Sequence, residues 1–439
     1  MYRFKLSIIL ILFLAPVFLF NVSIHAQSIS RAVQLKTEYL VNPLGIDTPL
    51  PRFTWQLIDN RQGARQTAYR ILVDTDSATV NSGKGKIWDT QTVQSDANLM
   101  VYNGQPFQPF TKYYWKVILT NQENKQVNDI GIASFETGMM QASNWKGSWI
   151  SDVSDINLKP APYFRKNFSM IKKVKSARAY IAVAGLYELY INGKKIGNHR
   201  LDPMYIRFDR RTLYVTYDVT SALQNGQNAV GVLLGNGWYN FQSTAVWDFH
   251  KANWRARPTF CLDMRITYED DSVETITSGK GWKTALSPTI FNSLYTAEHY
   301  DARLEQAGWN TISFDDAKWK EVMYRSAPSD NIVAQVMYPI RNVEEIKTKS
   351  VRKFNDTSYV FDLGRNFSGV SKIKVKGSPG TIIRLRHAER LYPNGHTDIS
   401  NIDIHYRPTD NTDPFQTDIF ILSGKGEETF MPHFNYKGF

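Results

Sequence analysis

Short runs rich in Val, Ile, Tyr, Phe and Thr recur along this chain at roughly 8 to 12 residue spacing, and helical periodicity is almost absent. Asn-Gly, Gly-Lys, Asp-Asp and Pro-containing turns separate them. That pattern restricts the chain to all-β architecture, built from sandwiches whose strands each bury one face. In Tyr113 to Thr120, the set Trp115, Val117 and Leu119 alternates with Tyr114, Lys116 and Ile118, as expected of such a strand. Asn192-Gly193 supplies the two positive φ values of a type I′ hairpin after Tyr187 to Ile191. A short helical turn is expected at Thr220 to Leu223.

At 439 residues and 42% hydrophobic content the chain has material for several packed cores. The breaks fall near residues 140 and 327, giving modules over 27–140, 141–327 and 328–439. Ahead of them, Arg3 and Lys5 precede the apolar run Leu6 to Phe20, too short for a bilayer span of ~20 residues and followed by Ala26. Residues 1–26 are therefore expected to be a signal peptide cleaved after Ala26, although Ile24 is larger than the ideal. The mature protein is expected in the periplasm or outside the cell, with no membrane span.

Cys261 is the single cysteine, so no intrachain disulfide can form, and its alternating surroundings predict a buried structural thiol. The net charge of +11 falls by two once Arg3 and Lys5 leave with the leader. No basic block of nucleic-acid type occurs: the densest cluster, Ile171-Lys172-Lys173-Val174-Lys175, is short and predicts a solvated turn. Zinc-spaced Cys and His, phosphate-binding Gly loops and Gly-x-Ser-x-Gly elbows are also missing.

Several phrases together resemble the bacterial α-L-rhamnosidase family of glycoside hydrolases. They include Asn42-Pro43-Leu44-Gly45-Ile46-Asp47, Pro51-Arg52-Phe53-Thr54-Trp55, Gly185-Leu186-Tyr187-Glu188-Leu189-Tyr190-Ile191-Asn192-Gly193 and Leu234-Gly235-Asn236-Gly237-Trp238-Tyr239. Ala297-Glu298-His299-Tyr300-Asp301-Ala302-Arg303, Phe361-Asp362-Leu363-Gly364-Arg365-Asn366-Phe367-Ser368-Gly369 and His387-Ala388-Glu389-Arg390-Leu391 complete the set. The resemblance implies an immunoglobulin- or fibronectin-like module, a jelly roll and a partial lectin-like sandwich. In full members a helical (α/α)₆ barrel follows, in which two carboxylates hydrolyse terminal α-L-rhamnose with inversion. Those carboxylates would lie beyond Phe439, so no catalytic residue is assigned and the chain alone is expected to be inactive. Thr429 to Phe439 suggests a strand approaching a partner that the chain does not supply, leaving an open edge.

Candidate sugar contacts are Asn236, Trp238 and Tyr239, where two glycines allow a tight turn that exposes an aromatic face, joined by Asp202 and Asp209 in a neighbouring loop. The bland alternative is a structural turn around a core Trp. The resemblance also raises calcium, for which Asp202, Asp209 and Asn236 would furnish oxygens; otherwise these are solvated turn groups, and no cofactor is required. Glu298, His299, Asp301 and Arg303 offer acid-base chemistry but are expected to form ion pairs between modules, with Asp301 bonded to Arg303. Glu389, Asp362 and His387 have the same structural expectation, and Asp270-Asp271 and Asp315-Asp316 that of turn aspartates. Three functions stay open: the front part of an enzyme, a free-standing protein binding rhamnose-containing glycans, and a structural spacer.

Overall fold

The computed structural model describes residues 30–127, 131–407 and 414–439; the expected leader lies outside them. Among the described residues the chain is almost entirely β, with one five-residue α-helix and a few 3₁₀ turns, one of them at Thr220–Ala222. No helix among these residues is long and apolar enough to cross a membrane.

The first module packs a three-stranded sheet (Arg31–Thr37, Arg52–Ile58, Leu99–Val101) against a six-stranded one centred on Gln66–Asp74 and Lys112–Asn121. Lys112–Asn121 buries every second residue, and Trp115, Val117 and Leu119 join Phe53 and Trp55 in the core. The period-two expectation holds because only one face of this strand meets the opposing sheet.

The second module is a larger sandwich. One sheet runs through Val174–Ala184, Thr259–Tyr268 and Thr212–Asp218, the other through Pro162–Met170, Gly226–Gly235 and Leu186–Ile191, and their inner faces form the largest core. Leu186–Ile191 turns into Lys194–Lys195 through Asn192 (φ 50°) and Gly193 (φ 83°), the expected two-residue hairpin. Cys261 is buried in this module, where burial pushes its thiol pKa far up. The basic turn at Lys172 to Lys175 is neutralised locally, since Lys172 meets Asp270 and Lys175 meets Asp271 at 2.7 and 2.6 Å. Asp316, expected to serve only a turn, also holds the fully buried Arg165 and Lys283.

The expected boundary at 327/328 does not coincide with the end of this sheet. Ile332–Ala334 adds to it in parallel beside Thr212–Asp218, and Ile340–Arg341 pairs with His199–Arg200. Parallel pairing depends on a long connection and not on a local turn signal, so it left no mark in the sequence. Asp47 fastens the first module here: its carboxylate accepts from Tyr214, from the Met140 amide at 2.8 Å and from the Ala334 amide at 3.0 Å.

The third module is threaded into the second. Ala297–Asp301 runs parallel to Thr417–Ile421, giving a sheet in the order Thr289–Ser293, Ala297–Asp301, Thr417–Ile421, Ile382–Arg386. Smaller pairs complete it, among them Ser350–Asn355 with Ser358–Asp362 and Ile373–Lys376 with Glu427–Phe430. The last strand, expected to lack a partner within the chain, has one on one side. Lys437–Gly438 pairs with Ser368–Gly369, and Phe439 exchanges two backbone hydrogen bonds with Phe367 at 2.8 and 3.0 Å.

Arg257 fixes the entry to Thr259–Tyr268. Fully buried, it makes a two-pronged ion pair with Asp152 (2.9 and 2.8 Å) and donates to the carbonyls of Leu158 and Pro160. Replacing it with Ala strands a buried carboxylate, so Arg257→Ala is expected to lower unfolding free energy by about 3–5 kcal/mol in denaturant titration. A loss under ~1 kcal/mol would mean that Asp152 is solvated instead.

Candidate functional site

Two features gather polar and aromatic side chains. One is an aromatic face built from loops following the strands Leu186–Ile191 and Gly226–Gly235. Gly237 takes a left-handed φ of 53°, which reverses the chain and lays Trp238 in a stacked arrangement on Phe241, centroids 5.2 Å apart. Phe249 packs at 4.9 Å from Trp238 and Tyr205 at 6.0 Å, while the Trp254 Nε1–H donates to the Trp238 carbonyl. Tyr205 is 49% exposed and Trp238 half-buried, so part of the face meets solvent. Arg207 lies over Trp254 and pairs with Asp209, placing charge at its border.

The loop carrying Asp202 and Asp209 does pack beside the Trp238 turn, as expected: Phe208 touches Tyr239 at 5.0 Å. The individual side chains divide. Trp238 and Asp209 stay on the solvent side, whereas Asn236, Tyr239 and Asp202 are 2, 5 and 2% exposed and face inward. Asn236 is spent on Asn292, donating through its amide nitrogens at 2.7 and 3.0 Å, and accepts from Asn240. Asp202 accepts from Gln335 and contacts His199 Nδ1 at 2.6 Å. Burial obliges Asn236 and Asp202 to find protein partners, and Tyr239 packs its ring on Phe208. The three oxygen donors considered for calcium thus belong to three separate hydrogen-bond groups, and no cluster of three or more acidic, His or Cys side chains suited to a metal occurs among the described residues.

The second feature is the seam between the second and third modules. Glu298, fully buried, accepts from the His433 and Phe434 amides at 2.8 to 3.0 Å. His433 Nδ1 meets Glu188 at 2.9 Å, Lys195 and Tyr190 also bond Glu188, and Arg200 donates to the Pro432 carbonyl at 2.6 Å. Phe434 inserts so closely that a Cβ on Gly235 would stand 2.4 Å from its ring. Gly235, expected to serve a tight turn, is needed instead for close approach. Burial works against ionisation of both Glu188 and His433, but their mutual attraction outweighs it: Glu188 is held well below the usual carboxylate range and His433 is raised. Burial raises Glu298, with the His433 charge and backbone donors opposing.

Asp301 bonds Arg303 as expected, at 2.7 and 2.8 Å. His299 is pushed down to about 4 by burial, and His387 is likewise lowered and contacts Ser371. Glu389 accepts from Asn401, and Asp362 caps the Gly364 amide. Glu188, His433, Tyr205, Phe249 and Trp254 were not singled out from sequence. The aromatic density of Trp247-Asp248-Phe249 and Trp254 was the available signal for the face; for the seam the sequence marks Glu298 as an inter-module contact, but it accepts from backbone amides instead of forming the expected ion pair.

The fold defines a class of tandem β-sandwich proteins, here with an aromatic face on the second module. Residues 32–141 match the Rha78A-like N-terminal immunoglobulin domain, 172–344 the alpha-L-rhamnosidase N-terminal domain, and 352–439 the bacterial alpha-L-rhamnosidase concanavalin-like domain. An alpha-L-rhamnosidase of Formosa agariphila is 30% identical over 91% of this chain and 44% of its own length. The structure of alpha-L-rhamnosidase from Dictyoglumus thermophilum superposes with a TM-score of 0.82 at 36% identity, covering 93% of this chain and 46% of that one. That of the Aspergillus terreus enzyme gives 0.79 at 28% identity, again covering 93% and 46%. The chain belongs to the bacterial α-L-rhamnosidase family, and it spans about half the length of the relatives it matches.

His433, raised in the fold, contributes stability that is full below its unfolded pKa of 6.5 and is lost as pH rises through the folded value. Glu188, lowered, contributes stability that is full above 4.5 and is lost as pH falls. Lowered His299 and His387 act in the opposite sense to His433, weakening the fold below 6.5, so the test is a difference. The melting gap between wild type and His433→Gln should be widest between pH 4.5 and 6.5 and close as pH rises further; a gap independent of pH would rule out the ion pair. Thermal melts in calcium and in chelator are expected to coincide, and a shift of several degrees would place a metal site in this chain.

Proposed function

We propose that this chain forms the front, non-catalytic part of an exported α-L-rhamnosidase-like protein, and that its aromatic face holds rhamnose-containing glycans of plant glycosides or pectic polysaccharides. The observation that carries the proposal is the solvent-facing Tyr205 and Trp238 pair with the Arg207–Asp209 pair at its border. The C–H faces of a deoxyhexose stack on such rings, while hydroxyls bond flanking polar groups. The family relationship supports the sugar class. The carboxylates that sequence offered for chemistry are engaged structurally: Glu298 clamps backbone amides and Asp301 pairs with Arg303. Residence in the periplasm or outside the cell belongs to the same proposal and rests on the pattern of residues 1–26.

The test uses purified residues 27–439. A chromogenic aryl α-L-rhamnoside should not be hydrolysed above the blank, and titration with rhamnose oligosaccharides should give saturable binding. Trp238→Ala is expected to weaken it about tenfold, the ~1.4 kcal/mol scale of one aromatic contact. Binding unchanged in Trp238→Ala and Tyr205→Ala would leave the modules as structural spacers, and hydrolysis would return attention to Glu298, Asp301 and Glu389.

A further inference from the structure

A cleft of about 250 Å³ opens between the first and second modules, remote in sequence from the Trp238 turn. Phe110 of the first module forms one wall, Ser143 and Lys146 of the connector the rim, and Tyr180, Asp263 and Arg265 of the second module's sheet the floor. Three observations give it chemical character. Tyr180 is fully buried, and its hydroxyl has no hydrogen-bond partner. A buried hydroxyl left this way costs free energy unless another molecule satisfies it. Arg265 is stacked 4.7 Å from the Phe110 ring, and among the described residues its guanidinium makes no ion pair. Asp263 is already committed, accepting from the Lys146 and Gly147 amides at 2.8 and 2.7 Å. Lys146 and Arg265 together outnumber it in charge.

We propose that this cleft binds one acidic sugar residue, a hexuronate, with its carboxylate on Arg265 and Lys146 and a ring hydroxyl satisfying Tyr180. The volume sits below the ~300–1,000 Å³ of sites for drug-sized ligands, which favours a single ring over an oligosaccharide. A planar guanidinium braced on an aromatic ring is suited to two-pronged recognition of a carboxylate. The Arg265–Phe110 stack joins the two modules, so occupancy would also stiffen their junction.

Calorimetric titration of the whole chain with D-glucuronate, D-glucose and acetate tests this, because the first two differ only in the carboxylate. Glucuronate should bind, with glucose and acetate at least tenfold weaker. Arg265→Gln and Tyr180→Phe should each reduce glucuronate affinity several-fold. Ser143→Trp, at an exposed rim position, should block the cleft without burdening the core. Trp238→Ala should change nothing, which separates this site from the aromatic face. Equal binding of acetate would reduce the cleft to a bare anion patch, equal binding of glucose would remove the charge argument, and no response, or full binding by Ser143→Trp, would end the proposal.

Discussion

The organisation of this molecule depends on Glu298. A carboxylate with no solvent contact must be surrounded by donors, and here the donors are the amides of His433 and Phe434, some 135 residues away in sequence. Satisfying that one group draws the end of the third module onto the second. It places His433 beside Glu188 and lets Phe434 enter the pocket that Gly235 leaves open. The strand bearing Glu298 also pairs with Thr417–Ile421, so the same residues serve hydrogen-bonding, electrostatic and packing demands at once.

That seam shares the segment Leu234 to Trp238 with the aromatic face. Gly235 admits Phe434 on the inner side, Asn236 is tied to Asn292, and Gly237 then swings Trp238 outward. Three successive residues thus set the position of one aromatic ring relative to the rigid sheet behind it. Such support matters for a binding surface, since a ring held by packing loses little freedom when a ligand stacks on it.

The sequence disclosed what local physics decides. Asn192-Gly193 can hardly form anything but a tight hairpin, Lys112–Asn121 alternates because one face is wet, and Cys261 sits in an apolar strand. It did not disclose which distant partner a polar residue would choose. Asp202 and Asn236 look like loop residues in a linear chain, yet they are buried because Gln335 and Asn292 come to them from elsewhere. The parallel partners of Thr212–Asp218 and Ala297–Asp301 were equally hidden, since no turn connects them. Of the candidate site, the Trp238 turn and its neighbouring loop were legible; Glu188 and His433 were not, because an ion pair across about 245 residues leaves no spacing to find.

The parallel pairing of Ala297–Asp301 with Thr417–Ile421 bears on how the chain acquires its shape. A ribosome delivers the first of these strands well over a hundred residues ahead of the second. Throughout that interval Ala297–Asp301 can pair only with its hairpin neighbour, and its other edge waits. Closing so long a loop is slow relative to forming the local hairpins around it. The sheet that Thr289–Ser293 and Ala297–Asp301 begin therefore finishes assembling only when the third module arrives, and the two modules are better regarded as one cooperative folding unit than as beads on a string.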